Sequence, residues 1–206
     1  MIKSILFDFD GVLHNTFQFH LQKIREMTGI DICEEEYRAM HDQNFHFSSH
    51  NQLQGTDWTA YRHFVQAEQT RLKVEPHVKE VLLKLWERHM LFIVTSAGER
   101  NIIEYLKNNG LFHLFQEVLG FESCPSKVEK FQLLFAKYGL APEHCLFVTD
   151  TLGDILEAHQ VQLKTIAVDF GFHQRERLLK GNPLMIISNF SEIISIVQDL
   201  QDPSQL

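Results

Sequence analysis

Hydrophobic residues are spaced along this chain in two ways, which predict two kinds of element. Short runs of mostly apolar residues are typical of strands buried on both faces, and they occur at residues 5–7, 91–95, 117–121, 145–149, 165–168 and 185–187. Apolar residues three and four positions apart predict amphipathic helices. This spacing occurs in segments 14–29, 31–40, 58–72, 75–86, 100–109, 126–138, 152–160 and 191–200.

The order of these elements predicts the fold class. From residue 74 onward strands and helices alternate, which indicates a doubly wound, Rossmann-like α/β fold with a parallel sheet and helices on both faces. Residues 14–75 contain helical patterns and a polar loop at 41–55, but no strand pattern. We therefore expect a core domain of residues 1–13 and 76–206, with a small all-helical cap domain of residues 14–75 inserted after the first strand.

Composition and charge narrow the class of partner. Of 206 residues, 44% are hydrophobic and 22% charged, as in ordinary globular proteins. The net charge of −8 argues against nucleic acid or an anionic membrane as the main partner. The three widely spaced cysteines fit reduced thiols. No apolar run approaches the roughly 18 residues of a membrane span and no signal peptide precedes the first strand, so we expect a cytoplasmic protein. The oligomeric state is left undetermined.

Reactive side chains follow the predicted strands. Asp8 and Asp10 end the first strand, and their spacing points both carboxylates the same way in extended backbone. Ligands bind at this edge of an open α/β sheet. Two buried acids repel each other unless a cation neutralises them. The other candidates are two hydroxyls, one lysine at the start of a helix, and two further acids: Thr95, Ser96, Lys127, Asp150 and Asp154.

Each of these residues also has an ordinary structural explanation. Aspartate followed by glycine favours a turn, and Thr95 and Ser96 are suitable caps for the next helix. Lys127 could be a solvated surface residue, and Asp150 with Asp154 could cap a helix and line its polar face. Because all of them fall in order at the ends of predicted strands, we interpret them as one site.

With these residues in place, the sequence resembles the haloacid dehalogenase (HAD) superfamily, in its phosphatase-like branch with a helical C1-type cap, the branch of phosphoglycolate phosphatase and β-phosphoglucomutase. The motifs are residues 8–12 (Asp-Phe-Asp-Gly-Val), Thr95 after four apolar residues, Lys127, and residues 150–154 (Asp-Thr-Leu-Gly-Asp). The match spans residues 2 to about 170. Asn15 stands where relatives often carry aspartate, and Thr149 where glycine is common.

The resemblance implies a role for each residue. Asp8 would attack phosphorus and form an aspartyl-phosphate, while Asp10 would protonate the leaving alcohol and then deprotonate water. This acid role requires a pKa of Asp10 above the free value of about 3.9. Mg²⁺ would bind Asp8, Asp150 and the backbone carbonyl of Asp10, with Asp154 as a ligand or next to one. The remaining implied groups hold phosphoryl oxygens: the side chains of Thr95 or Ser96 and Lys127, and backbone N–H groups from Phe9 to Gly11.

We therefore expect a Mg²⁺-dependent phosphatase acting on a small phosphorylated metabolite. The resemblance excludes a dehalogenase, which lacks an acid at the position of Asp10, and a phosphonatase, which carries alanine there. A phosphomutase of the β-phosphoglucomutase type and a non-catalytic HAD-like binding protein are the alternatives. Phosphoglycolate, a sugar phosphate, a nucleotide and pyrophosphate are all open as substrates.

The cap region is rich in histidine and phenylalanine. Its six histidines lack a tight ligand spacing with cysteine or acid, so we expect substrate contact by one or two of them and no zinc site: His14, His20, His41, His46, His50 and His63. Its phenylalanines are expected to pack in a core: Phe17, Phe19, Phe45, Phe47 and Phe64.

Overall fold

The computed structural model describes residues 1–46, 53 and 55–201, so Phe47 and His50 lie outside the described residues. The described residues contain six strands, of which the first five are buried for most of their length: β1 (Ser4–Phe7), β2 (Met90–Val94), β3 (Phe115–Leu119), β4 (Cys145–Thr149), β5 (Lys164–Val168) and the edge strand β6 (Met185–Ile187). Every predicted strand is present, with ends within two residues of the prediction.

The strands form one parallel sheet in the order β3-β2-β1-β4-β5-β6. β1 lies in the middle, so its carboxyl end is flanked by those of β2 and β4. The chain leaves β1 towards β2 on one side and later fills the other side with β4. This reversal of strand order creates the crevice in which doubly wound proteins bind ligands. The predicted fold class is confirmed.

Helices cover both faces of the sheet. The described part of the chain has α1 (Phe17–Thr28), α2 (Glu34–Ala39), α3 (Trp58–Gln69), α4 (Pro76–Trp86), α5 (Glu99–Asn108), α6 (Lys127–Tyr138), α7 (Leu152–Gln160), α8 (Arg175–Leu178) and α9 (Glu192–Asp199). Apolar residues of α4, α5 and α9 join one core cluster, and those of α6 and α7 join another. None of these helices has the length and hydropathy to cross a bilayer.

The helices between β1 and α4 form a smaller apolar cluster of their own, built around Phe17, Leu21, Ile24, Ile32 and Tyr37. Phe172, from the loop after β5, joins this cluster, and its ring meets that of Phe17 edge-on at 5.3 Å. These helices fall in the segment for which the sequence predicts a cap. Packing of the cap phenylalanines is mixed, because Phe19 and Phe64 stack on each other near the surface, where Phe64 is exposed.

Candidate active site

A buried lysine joins two of the acids at the carboxyl edge of the sheet. Lys127 Nζ donates to Asp8 Oδ2 at 2.7 Å and to Asp154 Oδ2 at 2.5 Å. Thr149, the last residue of β4, donates its hydroxyl to the same oxygen of Asp154 at 2.5 Å. Lys127 is 1% exposed. Three charged side chains therefore contact one another with little of their surface exposed.

The pKa values of Asp8, Asp154 and Lys127 shift in different directions, because burial and the neighbouring charges act on each of them to different extents. Desolvation raises the pKa of Asp8 to about 7, and the charge of Asp154 adds to this while Lys127 opposes it. For Asp154 burial acts the same way, but the ammonium of Lys127 outweighs it and the pKa is lowered. The pKa of Lys127 is raised, since its two acidic partners outweigh its own desolvation. Of the two carboxylates that contact Lys127, Asp8 is thus the one whose negative charge is less fully compensated.

Asp150 lies beside Asp8 at the end of β4 with half of its carboxylate satisfied. Asp150 Oδ2 accepts from the Phe172 N–H at 2.7 Å, whereas Oδ1 is buried and has no hydrogen-bond partner within the described residues. Burial, followed by the charge of Asp8, raises the pKa of Asp150 well above its ordinary value. Gly11, with φ of +77°, is required here because a Cβ on it would lie 1.7 Å from Asp150 Oδ2.

Asp10 sits in a different environment, made by the inserted helices. Its Oδ1 accepts from Thr16 Oγ1 at 2.7 Å, and from His20 Nε2 and Gln69 Nε2 at 3.1 Å each. His20 Nδ1 is in turn 2.6 Å from the Tyr61 hydroxyl. Burial would raise the pKa of Asp10, but the charge and hydrogen bond of His20 and the two other donors lower it. The expectation of a raised pKa for Asp10 is wrong for this arrangement.

The predicted phosphoryl-binding groups divide into two sets. Thr95 is 1% exposed at the end of β2, its Oγ1 accepts from the Ala97 N–H at 3.1 Å, and Ser96 is half-buried. The backbone N–H groups of Phe9 and Gly11 form the second set. The Phe9 N–H donates to Asp8 Oδ1 at 2.6 Å and the Gly11 N–H to the His14 carbonyl at 2.8 Å, so both donors are engaged within the chain.

One cavity of about 160 Å³ brings the remaining predicted residues together. Its floor is the sheet edge with Asp8, Thr95, Ser96, Lys127, Asp150 and Asp154; Asp10 lines it as well, but Phe9 and Gly11 do not. Its roof comes from the inserted segment and mixes apolar and aromatic side chains with polar ones: Ile24, Tyr37, Phe45, Trp58, Tyr61 and Val65, together with His20, His41, Gln43, Asn44, His46, Arg62 and Gln69. A charged floor under a roof with both apolar and polar groups suits a small polar ligand with an anionic end.

A family model for haloacid dehalogenase-like hydrolases matches residues 5–168, which is most of the chain. The chain belongs to this family. The matched span contains every acid of the site, and it also contains Lys127. The resemblance inferred from the motifs is thereby confirmed.

Curated relatives carry a more specific name. Phosphoglycolate phosphatases from Haemophilus influenzae (strain 86-028NP) and Mannheimia succiniciproducens are 30% and 32% identical over 129 residues. Each match covers 61% of this chain and 58% of the relative, so the chain aligns with little more than half of their length.

Solved structures are similar to this protein over nearly its whole chain. A structure titled "predicted phosphoglycolate phosphatase" from Haemophilus somnus is 25% identical, covers 96% of this chain and 98% of its own, and has a TM-score of 0.76. CbbY from Rhodobacter sphaeroides, solved with xylulose-1,5-bisphosphate, is 17% identical over 93% and 96% of the two chains, with a TM-score of 0.75. The second likeness concerns the fold alone.

The acids of this HAD-like hydrolase suit a hard divalent cation in their chemistry. Carboxylate oxygens are the ligands that Mg²⁺ prefers, and the unpartnered Oδ1 of Asp150 next to Asp8 marks where negative charge lacks a counterpart. Within the described residues no three His, Cys, Asp or Glu side chains converge as they would around a bound metal. Lys127 accounts for this, because its ammonium lies between Asp8 and Asp154. Asp154 therefore holds Lys127 here.

Sequence reasoning missed the residues that hold Asp10. Thr16 stands in a family position regarded as structural, and His20 was one of six undistinguished histidines. Gln69 is buried on α3, and its donation to Asp10 spans 59 residues of sequence. The available signal was Gln69 on the otherwise apolar face of α3, since a polar side chain there must find a partner in the interior.

Proposed function

We propose that this HAD-like hydrolase is a Mg²⁺-dependent phosphatase that hydrolyses a small phosphorylated metabolite through an aspartyl-phosphate on Asp8. The observation that carries the proposal is the linkage of Asp8, Lys127 and Asp154 beside the half-satisfied Asp150, at the floor of one cavity. This arrangement supplies a nucleophile, a cation for phosphoryl oxygens and a place for a metal, which are the parts that phosphoryl transfer requires.

In the proposed reaction Asp8 attacks phosphorus and displaces the alcohol. Asp8 Oδ1 is held by the Phe9 N–H and Oδ2 by Lys127, so the carboxylate has a fixed orientation at the cavity floor. Lys127 and the hydroxyl of Thr95 would hold phosphoryl oxygens, which neutralises charge as the oxygen–phosphorus bond breaks. Asp154 and Thr149 keep the Lys127 ammonium in place for this role.

The proton of the reaction is assigned to Asp10. All three donors end on Asp10 Oδ1, so Oδ2 is the oxygen that can exchange a proton with the leaving group and then with water. The lowered pKa makes free Asp10 a carboxylate, which suits the base step. For the acid step Asp10 takes up a proton when the anionic phosphate binds, because a nearby negative charge raises a carboxyl pKa.

Mg²⁺ would be held by Asp8 and Asp150, with the backbone carbonyl of Asp10 as a further ligand. When bound, it would neutralise the phosphoryl oxygens and offset the repulsion between these two acids. Asp150 Oδ1, which has no other partner among the described residues, is the atom that this assignment explains.

We also propose that residues 14–75 act as the cap domain that selects the substrate. The cavity of about 160 Å³ is smaller than the roughly 300–1,000 Å³ of pockets for drug-sized ligands, which favours a small metabolite. Phosphoglycolate is the first compound to test, because curated relatives bear its name.

The test is hydrolysis of phosphoglycolate and a panel of sugar phosphates, nucleotides and pyrophosphate, with Mg²⁺, with EDTA and with Asp8→Asn. The proposal predicts turnover that needs Mg²⁺ and disappears with Asp8→Asn. Isomerisation of a sugar phosphate primed by its bisphosphate would instead identify a mutase. Binding without turnover of any compound would contradict catalysis and favour a non-catalytic binding protein.

A further inference from the structure

One buried acid of the cavity has no part in the proposed chemistry. Glu157 lies on α7 and is 7% exposed. Its Oε1 accepts from the Lys127 backbone N–H at 3.0 Å and from Ser126 Oγ at 3.3 Å. Glu157 therefore satisfies a free N–H at the start of α6, where a negative charge is also favoured by the helix dipole.

The same carboxylate receives a hydrogen bond from the inserted segment. Asn44 Nδ2 lies 2.9 Å from Glu157 Oε1 and 3.0 Å from Oε2, and also 3.3 Å from the Pro125 carbonyl. The other end of the Asn44 amide is fixed, because its Oδ1 accepts from the His46 N–H at 2.9 Å. Asn44 thus contacts both α7 and the residues that lead into Lys127.

Residues 41–46, which we call the docking loop, lie directly on the core at this point. The Gly153 N–H donates to the His41 carbonyl at 3.0 Å. A Cβ on Gly153 would lie 2.7 Å from the Gln43 backbone, so only glycine permits this approach. The contact between Asn44 and Glu157 is therefore part of a close fit of the docking loop against α7.

We propose that Glu157 is a positioning residue that couples docking of residues 41–46 to the placement of Lys127. Among the described residues Asn44 supplies the hydrogen bond to Glu157 Oε2, and with Asn44 in place the carboxylate fixes the first turn of α6 with the ammonium of Lys127 aimed at Asp8. The inference rests on the proposed function in assigning Lys127 to the phosphoryl group, while the link between the docking loop and α6 is independent of the reaction.

An exchange of hydrogen-bond polarity tests this coupling. Glu157→Gln keeps an acceptor for Lys127 but turns an NH₂ group towards Asn44, and Asn44→Asp sets a second carboxylate against Glu157. Each single variant is expected to lower kcat by about tenfold or more, with KM changed less than about threefold, because Lys127 acts on the transferring group. The double variant pairs the Gln NH₂ with the new Asp and is expected to regain most of the lost kcat. Glu129→Gln, an exposed acid in the first turn of α6, is the matched control.

A second measurement needs no turnover. Hydrogen exchange followed by NMR is expected to show faster exchange of the Lys127 N–H in Asn44→Ala, with the Leu134 N–H in the middle of α6 unchanged. Unchanged exchange at Lys127 would overturn the coupling whatever the activity. Equal melting temperatures with no regain of kcat in the double variant would make Glu157 a helix-capping residue only, which also overturns the proposal. If the unmodified protein hydrolyses no phosphate ester, the proposed function fails, and hydrogen exchange still decides the coupling.

Discussion

Asp8 and Asp10, two residues apart in the chain, have opposite electrostatic environments. Asp8 faces the core, where burial raises its pKa to about 7 despite the contact with Lys127. Asp10, two residues on, faces the inserted helices, where hydrogen bonds from Thr16, His20 and Gln69 hold its pKa below the ordinary value. The half of the site at the sheet edge, which we call the core half, carries uncompensated negative charge. The half built by the inserted helices, which we call the cap half after the proposed cap, supplies donors.

This difference indicates which step of the proposed reaction each half of the site supports. The core acids Asp8 and Asp150 lack a full counter-charge, so we assign the proposed metal and phosphate chemistry to the sheet edge. The cap donors fix one oxygen of Asp10, so the proton chemistry depends on how the inserted helices lie. Substitutions on the two sides should therefore fail in different ways.

The largest effect is expected for Asp8→Asn. The amide cannot act as the nucleophile, and kcat should fall by more than about 10⁴-fold, as for nucleophiles in other hydrolases. Steady-state hydrolysis of the best substrate measures this, with Asp31→Asn as a control because the Asp31 side chain is 98% exposed. A variant that retains a tenth of the activity would assign the nucleophile elsewhere.

Asp10 variants should have a smaller effect. Asp10→Asn removes a general acid and base and is expected to lower kcat by about 10²–10⁴-fold while Mg²⁺ binding persists. Steady-state hydrolysis measures this loss.

Gln69→Leu removes one donor from Asp10 Oδ1, so the pKa of Asp10 should rise towards its ordinary value. Carboxyl-carbon NMR titration measures that rise, and Gln66→Leu, one turn earlier on α3, is the control. An unmoved pKa would show that the cap donors do not set it.

Asp150→Asn tests two roles of Asp150, its repulsion with Asp8 and its proposed binding of the metal. The variant relieves the repulsion from Asp8, so the metal-free protein should melt about 2–4 °C higher than the unmodified protein. It should also lose the stabilisation by Mg²⁺, which amounts to about 3 kcal/mol at a hundredfold excess over Kd in the unmodified protein. Thermal unfolding with Mg²⁺ and with EDTA checks both. A metal-free variant that melts lower, with its Mg²⁺ response intact, would remove Asp150 from the metal site.

The smallest effect concerns the junction of cap and core. His173 accepts from the Leu152 N–H at 2.9 Å and contacts the Arg38 carbonyl at 2.8 Å through its other nitrogen, a pairing that requires neutral imidazole. Burial lowers its pKa to about 4. The unfolded chain, with a pKa near 6.5, binds the proton first, so His173 makes stability fall as pH drops from about 6.5 to 4. The loss is about 2 kcal/mol at pH 5.

Chemical denaturation at pH 7.5 and pH 5 measures this loss, and His173→Gln should show less of it. His159→Gln, an exposed histidine of α7, is the control. Equal pH dependence in the His173 variant and the unmodified protein would show that another group causes the acid sensitivity.

The core half of the site could be predicted because parallel strands end at a common edge. Asp8, Thr95 and Asp150 follow β1, β2 and β4, which are neighbours in the sheet, so their positions along the chain were enough to group them. Lys127 was grouped with these residues by its order along the chain, but nothing in a helix start directs a side chain towards another strand, so its role towards phosphoryl oxygens came from the resemblance to the family.

The cap half could not be predicted in the same way. Contacts of Asp10 with His20 and Gln69 depend on how α1 and α3 pack, and helix spacing alone does not determine that packing. Glu157 reads as an ordinary polar residue of α7 until Asn44 is seen beside it. The four residues of α8 are too few for a periodic pattern to indicate a helix.

The central claim is that Asp8 carries the phosphoryl group. The most direct measurement is acid quench of the enzyme during turnover, followed by mass spectrometry of the peptide that contains Asp8 and Asp10. The account predicts one added phosphoryl group, located on Asp8 by fragmentation and absent from Asp8→Asn. A phosphoryl group on another residue, or phosphate release from Asp8→Asn at the rate of the unmodified enzyme, would contradict it.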